Sequence, residues 1–375
     1  MKELRQVIER EISERGPIPF SRYMALCLYH PELGYYSRNA AQFGKAGDFF
    51  TSSDVHAVFG RLMARQFEEM WRVLGSPRRI IVREIGPGRG LFAQDALDWS
   101  EKKFAGFFSA LNYELVEQSP ALRNYISETL ARRFEGSKVR FAKLGDHEAT
   151  QEVPTIVFAN EFFDAIPVEV LSSKGSLRVD QRDGRFLETW AAASAGELEF
   201  LDRHSVHPEP GERVEGCLQS QAAMASVCDV HYGFIVVIDY GYTREEQLAG
   251  RHRGTLKAIR QHSVSASPYE APGEQDITAD VNFTALSAVA MQRGFDVQKV
   301  ITQSQFLMGI GEANQFADAF EDCRLPQERA KLALQLKHLV TPAGMGESFH
   351  VLVGSKGVDL TKASTLAGLG FGKRM

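Results

Sequence analysis

The segment 84–90, with the sequence EIGPGRG, has the residue types and the spacing of a ligand-binding loop. It follows an apolar, β-branched run at 80–82. Glycines at such a place let the backbone approach a ligand, and the next helix presents free N–H groups. We therefore expect a cofactor loop that uses Glu84, Gly86, Gly88 and Gly90. The alternative is a purely structural turn between a strand and a helix.

The spacing of these glycines favours a cofactor without phosphates. A dinucleotide fingerprint would need a glycine at position 91, which is Leu91, and a P-loop would need Lys and then Ser or Thr after Gly90. S-adenosylmethionine instead needs close backbone approach to its methionine tail and a carboxylate for its ribose hydroxyls. Glu117 ends the next apolar run, about 27 positions after Gly90, where a ribose-binding acid would lie. The loop and Glu117 together predict S-adenosylmethionine as the cofactor.

The adenine ring of this cofactor needs a polar neighbour after the third apolar run of the core. Asp146 falls at that place in the sequence. A contact between Asp146 and adenine is one interpretation, and a solvated loop is the other.

The segment 160–167, NEFFDAIP, follows the fourth apolar run and contains the candidate catalytic residues. Ligands of open α/β sheets bind beyond the carboxyl ends of the strands, so the methyl acceptor should meet the cofactor here. Methyl transfer requires the enzyme mainly to position the acceptor and to stabilise redistributed charge. Asn160 could orient an amine or amide nitrogen, and Glu161 and Asp164 could clamp a guanidinium. The alternative is a helix start that is capped by Asn160 or Glu161 and favoured by Asp164.

The elements that must position these residues alternate between short apolar runs and helical segments from residue 79 onward. The runs lie at 80–82, 113–116, 139–141, 155–158 and 234–238. This alternation predicts an α/β fold with a parallel sheet. Further along the chain we expect a capped helix at 276–290, a strand at 295–301, a helix at 327–339 and a last antiparallel strand at 347–354.

Two other regions are predicted around this core. Residues 1–75 are predicted to form a mostly helical N-terminal cap that precedes a core of residues 76–375. Within this cap we expect helices at 2–14 and near 21–29, and a third helix whose N-cap is one of residues 51–54. Residues 168–230 form an inserted lobe, because the span between the fourth and fifth runs is too long for an ordinary crossover. Within it, residues 177–190 predict a hairpin that turns at Asp183 and Gly184.

The composition indicates an ordinary globular protein. Of 375 residues, 44% are hydrophobic and 24% charged, and the net charge of −5 argues against an extended nucleic-acid surface. The four cysteines lack metal-ligand spacing, so no metal site is expected and the thiols should be reduced. The first 15 residues are too acidic for a targeting peptide, and no apolar run reaches membrane-spanning length, so we expect a cytoplasmic protein without membrane insertion.

The chain resembles the MidA-like family of S-adenosylmethionine-dependent methyltransferases, whose mitochondrial member is a complex I assembly factor that methylates an arginine. The resemblance spans nearly the whole chain and rests on an ordered set of motifs, which lie at 16–18, 23–24, 34–36, 47–49, 51–52, 84–90, 117–120, 160–167, 238–241, 255–256, 276–278 and 281–283. It implies a Rossmann-like class I methyltransferase sheet with a helical amino-terminal cap, and methylation of arginine in a partner protein. It also implies that Gly47, Asp48 and Thr51 lie near the cofactor.

Two other functions remain open from the sequence. The chain could be an assembly chaperone that binds the cofactor with little turnover, or an amide or small-molecule N-methyltransferase in which Asn160 matters more than Glu161. The oligomeric state and the methyl acceptor are not determined by these residues.

Overall fold

Two compact units make up the chain. The computed structural model describes residues 2–37, 57–145, 153–260, 263–265, 267–312 and 314–371. The lobe unit consists of Met1–Phe49, Phe162–Met224 and Gly241–Val289, and the sheet unit consists of Phe50–Glu161, Ala225–Tyr240 and Ala290–Met375. The predicted boundaries at 75, 168 and 230 stay predictions. They were placed where the residue pattern changes along the sequence, whereas these two units are defined by packing.

The sheet unit is built on a mixed sheet. Its strands run in the spatial order Asp296–Val297, Phe349–Lys356, Gly233–Tyr242, Thr155–Asn160, Ile80–Ile85, Leu111–Val116 and Val139–Ala142. The last five are mutually parallel, and Phe349–Lys356 is antiparallel to its neighbours. The predicted α/β fold with a final antiparallel strand is therefore confirmed. The strand expected at 295–301 is interrupted, because Asp296–Val297 and Ile301–Thr302 pair separately with Phe349–Lys356.

Helices cover the sheet because their apolar residues recur on one face. One helix of the sheet unit, Ala57–Val73, buries Phe59, Met63 and Phe67, and the rings of Phe92 and Phe158 stack 4.5 Å apart in the same core. Burial of each such side chain stabilises the fold by roughly 1.5–3 kcal/mol. The other helices of this unit are Leu91–Lys103, Ala105–Ala110, Pro120–Thr129, Ala131–Glu135, Gln303–Glu312, Ala317–Phe320, Pro326–Val340 and Leu360–Ala363, and Ala367–Leu369 is a 3-10 turn. The predicted helix at 327–339 is confirmed.

The strand order reverses beside the first core strand. From Ile80–Ile85 the chain proceeds outward to Leu111–Val116 and Val139–Ala142, and then returns to the other side of Ile80–Ile85 as Thr155–Asn160. Connections on opposite sides leave a crevice at the carboxyl ends of the two central strands. The sheet therefore brings residues that follow position 85 and residues that follow position 159 to one edge.

The lobe unit has its own apolar core and two small sheets. One sheet consists of Ile18–Pro19, Glu169–Ser172, Gly175–Arg182, Arg185–Ala191 and Val214–Gly216, and the other of Lys257–Arg260, Ser263–Val264 and Asp276–Thr278. The short strand Val281–Asn282 belongs to neither and pairs with Gly241 and Tyr242. Its helices are Lys2–Arg15, Phe20–Tyr29, Ala195–His204, Leu218–Val227, Arg244–Leu248 and Phe283–Gln292, and Tyr35–Ser37 is a 3-10 turn. The predicted hairpin is confirmed: Asp183 and Gly184 have φ values of 50° and 69°, as a two-residue type I′ turn requires.

The helix predicted at 276–290 is wrong in its first half. Asp276–Thr278 is a strand that pairs antiparallel with Lys257–Arg260, and the helix begins only at Phe283. The side-chain oxygen of Asn282 accepts a hydrogen bond from the backbone N–H of Ala285 at 2.9 Å and so caps the helix. A partner strand some twenty residues earlier satisfies the backbone groups that a helix would otherwise have used.

The short helices before residue 37 agree with the sequence prediction, and the N-cap residues sought at 51–54 lie outside the described residues. Among the helices that the structure does describe, none has the length and apolarity needed to cross a membrane.

Candidate functional site

The glycine loop leaves the first core strand in a conformation that only glycine adopts readily. Gly86, Gly88 and Gly90 have φ values of 66°, 54° and 75°. A Cβ atom on Gly90 would lie 3.3 Å from the side chain of Ile126, whereas a Cβ atom on Gly88 would meet nothing within 4 Å. Gly90 directly precedes the helix Leu91–Lys103, whose first N–H groups lack partners within the helix. The loop can therefore bring backbone donors close to a ligand.

Glu84, predicted to bind the cofactor, is buried within the sheet. Its carboxyl oxygen accepts a hydrogen bond of 2.8 Å from the hydroxyl of Tyr113 on the neighbouring strand. Burial raises the pKa of Glu84 to about 8, so the carboxyl group is largely neutral at neutral pH. Tyr113 was not identified from the sequence, because only the pairing of the two strands brings it near the glutamate: it pairs with Val82, two residues before Glu84. The cofactor-binding role of Glu84 stays a prediction.

Glu117 lies beside the glycine loop. The backbone N–H of Gly86 donates to the carbonyl of Val116 at 3.1 Å, so the residue after Val116 is held at the level of the loop. The Glu117 carboxylate accepts a 2.7 Å hydrogen bond from the backbone N–H of Ser119, and burial raises its pKa. These contacts hold the carboxylate at the level of the loop, and its contact with ribose stays a prediction.

Asn160 and Glu161 lie at the same edge of the sheet. Ala159 pairs with Ile85, so Asn160 is level with Gly86. Glu161 donates its backbone N–H to the carbonyl of Ile238 at 2.9 Å and has a φ of 50°, a left-handed conformation that is uncommon for residues other than glycine. Such conformations persist only where the surrounding fold maintains them, and they are frequent at functional sites.

The side chains of Asn160 and Glu161 are hydrogen-bonded to each other. The amide nitrogen of Asn160 donates to Glu161 Oε1 at 3.1 Å. The structure therefore gathers Gly86, Glu117, Asn160 and Glu161 at one edge of the sheet unit.

Asp164, the third predicted catalytic residue, belongs to the lobe unit. It is 7% exposed, and its Oδ2 accepts a hydrogen bond of 2.8 Å from the hydroxyl of Thr278. Its backbone carbonyl accepts from the N–H of Ala279 at 3.1 Å. The partner Thr278 lies in a segment that the sequence assigned to a helix, so this contact was not expected.

A second polar group of the lobe unit includes aromatic residues. The hydroxyl of Tyr36 donates to Asp276 Oδ1 at 2.9 Å, and the ring of Tyr36 stacks on that of Tyr29 at 5.5 Å. Burial and then the charge of Asp276 raise the pKa of Tyr36 far above its usual range. The tyrosine pair at 35–36 was noted only as a family motif.

Four of the predicted cofactor-binding residues cannot be placed in the site. Gly47, Asp48, Thr51 and Asp146 lie outside the described residues, so their predicted proximity to the cofactor stays a prediction. Within the described ranges, no group of three or more His, Cys, Asp or Glu side chains could hold a metal ion.

Comparisons with known proteins identify the family that this geometry suggests. Residues 62–301 match the family described as "Putative S-adenosyl-L-methionine-dependent methyltransferase". The Drosophila melanogaster protein arginine methyltransferase NDUFAF7 homolog, mitochondrial, is 30% identical, with 95% of this chain and 85% of that protein covered. The human protein arginine methyltransferase NDUFAF7, mitochondrial, is 26% identical, with 91% and 80% covered.

A solved structure agrees over nearly the full length. The crystal structure of a likely methyltransferase from Burkholderia thailandensis, bound to S-adenosyl-homocysteine, superimposes with a TM-score of 0.78. The two chains are 28% identical, with 96% of this chain and 93% of that chain covered. The predicted Rossmann-like methyltransferase fold and the predicted cofactor, S-adenosylmethionine, are confirmed.

The prediction of a cytoplasmic protein is wrong on this comparison, because the related arginine methyltransferases are named mitochondrial. The prediction rested on the acidic composition of the first helix and on the lack of an apolar run of membrane-spanning length. In the structure that helix, Lys2–Arg15, buries Leu4, Ile8 and Ile12 in the core of the lobe unit. The acidic residues therefore belong to a folded, amphipathic helix.

Proposed function

This chain belongs to the family of S-adenosylmethionine-dependent methyltransferases, and from that premise we propose that it methylates a guanidinium nitrogen of arginine in a partner protein. The observation that carries the proposal is the Glu161 carboxylate, which follows the strand Thr155–Asn160 at the edge shared with the glycine loop. The names of the relatives support arginine as the acceptor.

The residues of the sheet edge fit the cofactor. The glycines of the loop at 86–90 have left-handed backbone conformations, and no atom lies within 4 Å of where a Cβ atom of Gly88 would be, so a ligand can approach the backbone there. The Glu117 carboxylate, at the end of the neighbouring strand, would accept hydrogen bonds from the ribose hydroxyls. No lysine follows the glycines to pair with a phosphate. When bound, S-adenosylmethionine supplies a methyl group activated by a sulfonium.

Glu161 would orient the acceptor. A carboxylate accepts two parallel N–H bonds from a guanidinium, which fixes the plane of the acceptor and the direction of its nitrogen. Because the guanidinium pKa lies above about 12, Glu161 would take up the proton late, after the nitrogen has begun to bond to carbon. Asn160, at the same edge, is proposed to help orient the acceptor nitrogen. Asp164, predicted as a second carboxylate, accepts a hydrogen bond from Thr278, and its contact with the acceptor stays a prediction.

A labelled methyl group identifies the acceptor. Purified protein is incubated with a methylation-poor lysate of its host and S-adenosylmethionine labelled in the methyl group, and the labelled band is analysed by mass spectrometry. We expect methylated arginine in a discrete protein. Label confined to lysine, amides or small molecules contradicts the arginine proposal. Cofactor binding by calorimetry without any transfer would instead support an assembly protein with little turnover.

A further inference from the structure

The carboxamide of Asn160 has one satisfied end and one unsatisfied end. Its nitrogen donates to Glu161 Oε1 at 3.1 Å, whereas its buried oxygen finds no hydrogen-bond partner among the residues that the structure describes. Buried polar atoms of folded proteins are nearly always hydrogen-bonded, because an unpaired acceptor loses its bonds to water without replacement. An N–H or O–H donor from outside the described residues would satisfy this oxygen.

The orientation of the amide follows from chemistry. A carboxylate has no proton to donate, so the amide must turn its NH2 group towards Glu161. That contact turns the Asn160 oxygen away from Glu161 Oε1. The left-handed backbone of Glu161 and its N–H bond to Ile238 maintain the pair in this arrangement.

We propose that Asn160 is a specificity-determining residue: its oxygen accepts one N–H of the acceptor guanidinium while its NH2 group positions the Glu161 carboxylate to accept another. The inference rests on the proposed arginine acceptor. A guanidinium has five N–H donors in one plane and no acceptor, so it can satisfy two acceptors that point in different directions. An alkylammonium, a compact charge with three donors on one atom, matches this arrangement less well.

The amino group of the cofactor is a second possible source of N–H donors at this edge. The two sources predict different binding measurements. If Asn160 contacts the acceptor, its removal weakens guanidinium binding and leaves cofactor binding nearly unchanged. If Asn160 contacts the cofactor, the affinity for the cofactor falls instead.

The test uses ethylguanidinium as a probe and ethylammonium as its matched probe. Each is titrated by calorimetry into the protein saturated with S-adenosylhomocysteine. For Asn160→Ala we expect ethylguanidinium to bind about tenfold more weakly or worse, with the S-adenosylhomocysteine Kd within about threefold. Cofactor binding also shows that the variant is folded.

Gln303→Ala is the matched control. Gln303 likewise has a buried amide, whose nitrogen donates to the carbonyl of Leu339 at 3.0 Å and whose oxygen has no partner among the described residues. It follows Ile301–Thr302 at the start of the helix Gln303–Glu312. This variant should leave both affinities within about twofold, because only a structural cavity is changed.

Asn160→Asp separates the two roles of the amide. It retains an oxygen acceptor but cannot donate to Glu161, so ethylguanidinium affinity should stay within about threefold while the rate of labelled methyl transfer falls about tenfold or more. A purely structural asparagine would not split binding from turnover in this way.

Several results would overturn the inference: unchanged ethylguanidinium affinity in Asn160→Ala, a loss confined to cofactor affinity, or no preference of the wild type for ethylguanidinium over ethylammonium. Failure of the proposed function is distinct from these. It would appear as wild-type protein that binds ethylguanidinium through Asn160 and yet methylates no arginine in the lysate.

Discussion

Asn160 at the edge of the sheet unit and Glu215 in the interior of the lobe unit both have buried side-chain oxygens, but those oxygens differ in their hydrogen bonding. In the lobe unit, Glu215 is fully buried, and its carboxylate accepts from the hydroxyl of Thr255 at 3.1 Å and from the N–H of Leu256 at 3.2 Å. At the sheet edge, the Asn160 oxygen has no partner among the described residues, and Glu161 adopts a left-handed conformation.

This difference separates structural polar groups from groups arranged for a ligand. A buried carboxyl group that is fully hydrogen-bonded within its own unit contributes to the specificity of the fold. Strain and an unsatisfied acceptor at a strand end cost stability, and they persist because the surrounding sheet determines them. The comparison predicts that substitutions of Asn160 and Glu161 change chemistry, whereas substitution of a fully hydrogen-bonded group such as Glu215 changes stability.

The largest expected effect is that of Glu161→Gln. Removal of the charge leaves a side chain of the same shape that can neither pair with a guanidinium nor take up its proton. The rate of labelled methyl transfer should fall at least about a hundredfold. Calorimetry should show cofactor affinity within about threefold. Full transfer activity of Glu161→Gln would show that the acceptor does not bind at the sheet edge.

Glu117→Ala should act on the cofactor alone. Loss of charge-assisted hydrogen bonds to two ribose hydroxyls should raise the Kd for S-adenosylmethionine about 10- to 100-fold, measured by calorimetry. Glu128→Ala, which removes an exposed glutamate from the helix Pro120–Thr129, is the control and should leave the Kd unchanged. Equal affinities in wild type and Glu117→Ala would contradict the predicted ribose contact.

Glu84→Gln should change the pH dependence of stability in the cofactor-free protein. The unfolded carboxyl titrates near about 4.3, whereas burial raises the folded pKa to about 8. Between these values the unfolded chain ionises and the folded chain stays protonated. The free energy of unfolding of the wild type should therefore fall relative to Glu84→Gln as pH rises, by up to about 1.4 kcal/mol per pH unit. Urea unfolding at pH 5, 6 and 7 measures this slope, and parallel curves would refute it.

The smallest expected effect is that of Asp164→Asn. The amide can still accept from Thr278, so the free energy of unfolding should fall by no more than about 1 kcal/mol and methyl transfer by less than about tenfold. Chemical denaturation and the labelled assay measure the two quantities. A loss of transfer as large as that of Glu161→Gln would instead establish Asp164 as a second carboxylate for the acceptor and would weaken the comparison.

Local patterns in the sequence predicted the elements of the fold well. Apolar β-branched runs predicted the five parallel strands, because strands buried on both faces leave no polar alternation. Asp183 and Gly184 predicted the hairpin, because both central residues of that turn need positive φ. The segment 276–282 was misassigned, because its pairing with Lys257–Arg260 is a long-range contact that no local pattern encodes.

The sequence by itself determined the glycine loop, the acidic residue of the next strand and the polar residues after the fourth strand, because each is a residue type at a fixed distance from an apolar run. Only the tertiary structure decided which of them share one edge and what each side chain contacts. Strand pairing placed Asn160 level with Gly86, and it brought Tyr113, which pairs with Val82, within hydrogen-bond distance of Glu84. Hydrogen bonds between distant segments depend on the packed arrangement of strands, which the order of residues along the chain does not display.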